Sequence, residues 1–275
     1  MEKNNQLQFE TPTFTQRLKG MLGVDFYRLF HTPLFYIFLA IAAIIPAMIL
    51  GMTSIENAEG VAQPLYDNTW QVIAADSPLY AVNDIAEYAN MNMVYIFGGI
   101  MVSIFIGHDY KSGYVKQLFT THAKKQDYML SKTAIGAFSM ACMCGTYLLG
   151  TVVAGAFVQA SFSVSIPSLL FALLGKVIMS LGWASLYAFL NIIFRKYFGI
   201  SIASCFFFGT GLFIVGVGAI VGNTPMLNVF LYGSSVYACL SANVWTPLVC
   251  LAVSLAWTGI YNVLGTYILE KSDVY

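Results

Sequence analysis

The sequence predicts an all-α polytopic membrane protein with six transmembrane helices, an N-terminal interfacial amphipathic helix, and re-entrant helices between spans five and six. The composition is the first reason: 58% of the 275 residues are hydrophobic and 9% are charged, whereas a typical soluble domain has about 25% charged residues. A chain with so little polar surface cannot coat a soluble globule, so its solvent is largely lipid. We expect residues 1–275 to form a single transmembrane domain.

The N-terminal region predicts a helix over about 11–33. Thr11 and Pro12 suit a helix start, and Arg17, Asp25 and Arg28 fall largely on the side opposite the apolar residues. A helix this charged does not cross a membrane, so we expect it to lie in the membrane interface. The apolar residues recur mostly at spacings of three and four: Phe14, Leu18, Met21, Leu22, Phe26, Leu29 and Phe30.

Six apolar runs follow, and each approaches the length that a membrane-spanning helix needs. A seventh stretch, 222–246, is too interrupted by asparagine and proline to span, but it is apolar enough to enter the membrane as short re-entrant helices. The predicted spans cover about 34–52, 91–107, 133–158, 168–194, 200–221 and 247–269.

The basic residues predict the orientation. Twelve of the thirteen Lys and Arg residues lie in the N-terminal region, in 108–132, at 195–196 or in the C-terminal tail, and the alternate connections contain none. Because basic residues concentrate in cytoplasmic connections, both termini are expected in the cytoplasm. Segment 108–132, HDYKSGYVKQLFTTHAKKQDYMLSK, holds five of these basic residues and two of the three histidines, so we expect it to lie in water as a cytoplasmic loop.

The sequence contains no recognisable motif for catalysis or for the ATP binding that would drive transport. Gly175-Lys176 is the nearest approach to a P-loop, but Leu170 stands where the first glycine is required. No H-E-x-x-H or G-x-S-x-G motif is present. We therefore expect no catalytic residue, no metal site and no bound cofactor on this chain, and we interpret the five cysteines as packing residues.

Lys176 is the one basic residue placed inside a predicted span, about 12 Å from its start at 1.5 Å per residue. It is a candidate for the translocation pathway or for a buried ion pair, because a charge at membrane depth is costly and faces a partner or water. The alternative, which gives Lys176 no functional role, is a long side chain that extends to the outer membrane surface.

Small residues spaced by four predict close helix packing, since they let two backbones approach. This pattern occurs in the third span and at the end of the fifth. An accidental pattern in Gly- and Ala-rich spans is the alternative. The candidate packing residues are Ala137, Ala141, Gly145, Gly218 and Gly222.

At this point the chain resembles the permease subunits of type-2 ABC exporters, closest in style to Gram-positive peptide or lantibiotic exporter and immunity permeases. The second span ends in an acidic-x-x-x-Gly segment, Asp109 to Gly113. A basic stretch with Lys124, Lys125 and Lys132 then enters the third span. The interfacial helix and the broken stretch 222–246 also match that architecture.

The resemblance implies a bacterial plasma (inner) membrane protein that pairs with a second permease chain, identical or related, within the lipid bilayer. Two ABC-type ATPase subunits would bind ATP and Mg, this chain would bind no nucleic acid, and the cargo would be a peptide or another exported compound. The residues that the resemblance places at the ATPase contact are Arg17, Arg28, Asp109, Lys111, Gly113, Lys116, His122, Lys124 and Lys125.

Two other functions stay open from the sequence. An ion-coupled secondary transporter would use Lys176 in its pathway, and an intramembrane enzyme or structural module would not transport at all. Every Asp and Glu falls outside the predicted spans, whereas ion-driven carriers place carboxylates at membrane depth. This distribution favours an external motor.

Overall fold

The computed structural model describes residues 12–52, 54–56, 62–64, 91–120, 123–158, 165–211, 228–240 and 243–271. Helices dominate this part of the chain, and one short antiparallel hairpin pairs Ile55 with Gln63. The elements in chain order are α1 (Phe14–His31), α2 (Pro33–Met52), β1 (Ser54–Glu56), β2 (Ala62–Pro64), α3 (Met93–Lys111), α4 (Tyr114–Thr120), α5 (Lys125–Val158), α6 (Ile166–Ile193), α7 (Phe198–Gly209), α8 (Leu231–Leu240) and α9 (Thr246–Lys271).

Five helices in the described ranges, α2, α3, α5, α6 and α9, are long and apolar enough to cross a membrane. The chain is therefore a multi-pass, predominantly helical membrane protein. The structure describes the predicted span 200–221 only as far as Gly211. The helix in this part of the chain, α7, has 12 residues. α8 lies within the stretch predicted to be re-entrant, and residues 212–227 lie outside the described part.

Segment 108–132 is mostly helix rather than an open loop. α3 continues through Lys111, and α5 begins at Lys125, eight residues before the predicted start at 133. Gly113 adopts a φ of 73°, a conformation that suits glycine and turns the chain between α3 and α4. Asp127 accepts a hydrogen bond of 3.4 Å from the backbone N–H of Lys124, which caps the first turn of α5.

α6 lies at the centre of the bundle, where it packs against α3, α5, α8 and α9. Its large buried residue Trp183 stacks on Tyr95 of α3 with ring centroids 5.3 Å apart, and its indole N–H donates to Ser235 of α8 at 2.9 Å. Asn191 donates to Ser103 of α3 at 3.0 Å. These buried polar groups are hydrogen-bonded to one another, as a bundle surrounded by lipid requires.

The closest helix approaches involve glycines of α5. A Cβ on Gly150 would meet the backbone of Ala43 in α2, and one on Gly136 would lie 3.0 Å from the Cβ of Ala184 in α6. At Gly145, by contrast, a Cβ would have open space, with nothing within 4 Å. Among the other candidate packing residues, Ala137 packs against the core and Ala141 is half-buried, while Gly218 and Gly222 lie outside the described residues.

The outward faces of the spans are apolar. Leu248, Leu255 and Val263 of α9 are more than half exposed, as is Ile44 of α2. Such side chains suit contact with lipid tails or with another apolar chain. The polar exceptions to this pattern concentrate where helix ends meet, and that region is described next.

Candidate functional site: a buried charge cluster

One end of the bundle collects the charged helix termini, and we call it the basic end. Arg17 of α1 donates from Nε to Asp127 Oδ2 at the start of α5, over 2.8 Å. Lys125 Nζ donates to the carbonyl oxygen of Leu269 at the end of α9, over 2.6 Å. The ring of Phe198 at the start of α7 lies against Gly107 of α3. These contacts gather five elements at one end of the molecule.

α1 turns its charged stripe toward the bundle. Met21, Asp25 and Leu29 are the buried residues of this helix, whereas Tyr27 on the other side is 65% exposed. The sequence placed Asp25 on the side opposite the apolar residues, and this was wrong, because Asp25 lies between Met21 and Leu29 on the buried face. The physical reason is that Ser131 and Lys132 of α5 donate hydrogen bonds to the Asp25 carboxylate.

Four charged side chains from three helices form the centre of the site. Lys132 Nζ of α5 lies 2.7 Å from both Asp25 Oδ1 of α1 and Asp109 Oδ2 of α3. Arg28 of α1 completes the group through Asp109 and, at 3.3 Å, Asp25. We call Asp25, Arg28, Asp109 and Lys132 the charge quartet. Two carboxylates balance two cations, so the quartet carries no formal net charge.

Neighbouring groups donate further hydrogen bonds to the two carboxylates of the quartet. Ser131 donates to Asp25 Oδ2 at 2.7 Å, and Tyr128 donates to Asp109 Oδ2 at 3.3 Å. The ring of Phe105 lies 4.8 Å from both the Arg28 guanidinium and the Lys132 ammonium. Buried ion pairs are tolerated when geometry is good and the remaining lone pairs are satisfied. The quartet meets both conditions.

The electrostatics of α1 and α4 keep the quartet in its paired form. Burial lowers the pKa of Arg28, but the hydrogen bond and charge of Asp109, with the charge of Asp25, outweigh that effect and raise it. Burial, together with the carboxylates of Asp25 and Asp109, raises the pKa of Tyr114. Arg28 therefore stays charged and the Tyr114 phenol stays neutral, so Tyr114 adds no third negative charge beside Asp25 and Asp109.

Six of the nine predicted ATPase-contact residues form two groups of three, and the other three have separate positions. Arg17, Arg28 and Asp109 face inward and pair within the chain. Lys111, Lys116 and Lys124 are exposed, and within the described residues they make no ion pair. Lys125 holds the end of α9, Gly113 forms the turn before α4, and His122 lies outside the described residues.

Lys176 of α6 is wholly buried within the protein. Its Nζ donates to Asn92 Oδ1 at the start of α3 and lies 5.7 Å from the Tyr95 ring. Tyr95 in turn donates to the carbonyl oxygen of Lys176 at 2.8 Å. No carboxylate among the described side chains is within ion-pair distance of this ammonium.

Sequence reasoning missed three members of the site: Asp25 and Asp127 as buried acids, and Lys132 as the buried partner of Asp25. A signal was present. One stripe of α1 contains Arg17, Asp25 and Arg28, at spacings of eight and three. Met21 and Leu29 lie on the same stripe. A stripe of mixed charge and apolar residues indicates a helix face that meets opposite charges, and segment 108–132 supplies them.

No family model matches the chain, and no curated protein matches it either. The function is accordingly inferred from the geometry above.

Proposed function

We propose that the chain is the membrane-spanning permease subunit of an ATP-driven exporter of the type-2 ABC form. In this proposal it forms the substrate pathway with a second permease chain and couples to two separate ATPase subunits that bind ATP and Mg. Six spans, re-entrant helices around α8 and cytoplasmic termini in a bacterial plasma membrane belong to the same proposal. ATP chemistry takes place on the partner, and this chain converts the partner's motion into rearrangement of the spans.

The observation that carries the proposal is the charge quartet, which ties α1, α3 and α5 together around the short helix α4. Asp25 and Arg28 come from α1, Asp109 comes from α3 and Lys132 comes from α5. Because each buried charge would be costly without its partner, these elements favour moving as one body. A displacement applied at α4 is then passed directly to two spans, as rigid-body switching requires.

The surface next to the quartet supports a protein partner. Asp109 and Asp127 are wholly buried in ion pairs, so they do not offset the exposed cations of the same segment. Lys111, Lys116 and Lys124 therefore give this surface a positive character. Complementary charge speeds association and selects the partner, and an acidic rim on an ATPase subunit would provide it.

The placement of acidic groups supports an external motor. In the helices that the structure describes as candidate spans, Asp109, Asp127 and Glu270 lie within the last or first turns at the basic end. Proton- and sodium-coupled carriers instead use carboxylates near the membrane midplane. Lys176 is the buried ionisable group at depth, and its contact with Asn92 gives it a structural role in the proposal.

The test is purification of the tagged full chain from its native membrane, with identification of co-purifying proteins and measurement of ATP hydrolysis. A P-loop ATPase should accompany the intact chain. Reversal of the three exposed lysines, Lys111→Glu, Lys116→Glu and Lys124→Glu, should lower ATPase recovery about tenfold, which corresponds to about 1.4 kcal/mol. The matched control reverses three exposed lysines elsewhere at the basic end, Lys19, Lys196 and Lys271, and should retain the ATPase.

Two outcomes overturn the proposal. The first is recovery of the chain without any P-loop ATPase under conditions that preserve membrane complexes. The second is substrate transport by the purified chain alone in liposomes that carry an ion gradient, which would establish the ion-coupled carrier instead. Equal loss of ATPase in the two triple variants would reject the specific docking surface while keeping an ATPase partner.

A further inference from the structure

A second feature of the basic end faces the membrane rather than the partner. A cavity of about 310 Å³ opens between the α1–α2 elbow and the last turns of α3, and we call it the elbow pocket. Its walls come entirely from described residues. The charge quartet borders it through Arg28, whose side chain is 25% exposed, but the pocket itself serves no step of the proposed coupling.

The lining of the elbow pocket changes from polar to apolar along α3. His31, His108 and Arg28 line the pocket near the helix ends, and Leu34, Met101 and Ile104 line it on the side of the candidate spans. Met101 precedes His108 by seven residues, which places it about 10 Å deeper at 1.5 Å per residue. Polar groups at the boundary above an apolar wall of this depth match the layers of a phospholipid.

The histidines are suited to a phosphate oxygen. Nδ1 of His31 lies 2.7 Å from the carbonyl oxygen of Tyr27, so Nδ1 donates to that carbonyl, and in the doubly protonated ring Nε2–H is free to donate to an outside oxygen. The ring is held in place by stacking on Tyr27, with centroids 3.9 Å apart. His108 is exposed on the facing helix. Two imidazoles and the open edge of a guanidinium form a site for one anion.

We infer that the elbow pocket binds one membrane phospholipid, with its phosphodiester against His31, His108 and Arg28 and the start of an acyl chain against Leu34, Met101 and Ile104. A free phosphate would leave the apolar wall unused, and a neutral diacylglycerol would leave the polar groups unpaired. The charge complementarity and the layered lining together select a phospholipid of the surrounding bilayer. The inference does not depend on the exporter proposal, because it concerns the chain and its lipid alone.

The test uses the full chain purified in detergent and native mass spectrometry with three probes: dioctanoylphosphatidylglycerol, dioctanoylglycerol and inorganic phosphate. The intact chain should bind one dioctanoylphosphatidylglycerol at least about tenfold more tightly than either other probe, as expected for charge-assisted hydrogen bonds combined with apolar contact. The double variant His31→Phe/His108→Phe keeps the rings but removes their nitrogens, and it should erase the preference over dioctanoylglycerol. Ile104→Trp should fill the apolar side and abolish binding of both lipids.

The matched control is Lys19→Gln/Lys196→Gln, which removes two exposed cations of the basic end that do not line the pocket. It should bind the phospholipid as the intact chain does. Thermal unfolding and helical content confirm that each variant is folded. Unchanged phospholipid affinity in the histidine variant overturns the inference, and so does binding of inorganic phosphate as tight as that of the lipid. Cross-linking that shows the pocket closed by a second copy also overturns it.

Discussion

Lys132 and Asp25 are separated by 107 positions in the chain, yet the Lys132 ammonium lies 2.7 Å from the Asp25 carboxylate. Both side chains are removed from solvent, with exposures of 1% and 0%. This contact joins α1 to α5 directly, and Asp109 extends the link to α3. The charge quartet thus connects three helices at the basic end.

Removal of one charge from the quartet should destabilise the protein strongly. In Asp25→Asn the carboxamide keeps its size, but Lys132 loses one of its two carboxylates. We expect a loss of about 3–5 kcal/mol in the free energy of unfolding, because two buried cations then share the single carboxylate of Asp109. Reversible unfolding of the purified chain in mixed detergent measures this loss.

The control for that measurement is the double variant Asp25→Asn/Lys132→Met, which removes one charge of each sign. It should be more stable than the sum of the single variants predicts, by at least about 1 kcal/mol of coupling. Additive effects of the two substitutions would show that the contact contributes nothing specific.

Two adjacent lysines should behave differently. Lys125 Nζ bonds the carbonyl oxygen of Leu269, whereas Lys124 is exposed. Lys125→Met should loosen the end of α9, which hydrogen exchange of residues near Leu269 would report as faster exchange. Lys124→Met should leave that exchange unchanged, and similar exchange in both variants would contradict the assigned role of Lys125.

Two glycines of α5 should respond to alanine with opposite signs. Gly150→Ala places a methyl group against the backbone of Ala43, so α2 and α5 must separate, at a cost of about 1–3 kcal/mol. Gly145→Ala meets open space and should stabilise the helix by about 0.5–1 kcal/mol. Thermal unfolding of the two variants measures the difference, and equal melting temperatures would rule out the tight α2–α5 approach.

The buried contact between Lys176 and Asn92 should be structural. Asn92→Leu removes the described acceptor of the ammonium and should destabilise the chain, while Asn92→Leu/Lys176→Met should recover part of the loss because no buried charge remains. Detergent unfolding of the single and double variants gives the coupling energy. Under the exporter proposal, full transport activity in the double variant would support a structural role, and complete loss of transport in a stable double variant would place Lys176 in the pathway.

Periodicity and charge distribution predicted much of the fold because they act over short distances. The starts of α2, α6 and α9 fall within two residues of the predicted spans, at Pro33, Ile166 and Thr246. The early start of α5 at Lys125 was missed because its first turns are polar. Polar residues there indicated a loop, yet they are buried by partners far away in sequence.

The candidate site was predictable in composition but not in pairing. The sequence located the acidic and basic residues at one end of the bundle. It did not reveal that Asp25 and Lys132 neutralise each other. Complementarity between two distant stripes depends on how helices rotate in the bundle, and no local pattern specifies that rotation.

The long sequence separation within the quartet also has a consequence for biogenesis. Asp25 leaves the ribosome 107 residues before Lys132, an interval of roughly 5–20 s at translation rates of 5–20 residues per second. During that interval the Asp25 carboxylate lacks Lys132, and Arg28 of the same helix is its ion-pair partner in the described structure that is already made. The quartet can therefore be completed only after α2, α3 and the first turns of α5 have been synthesised.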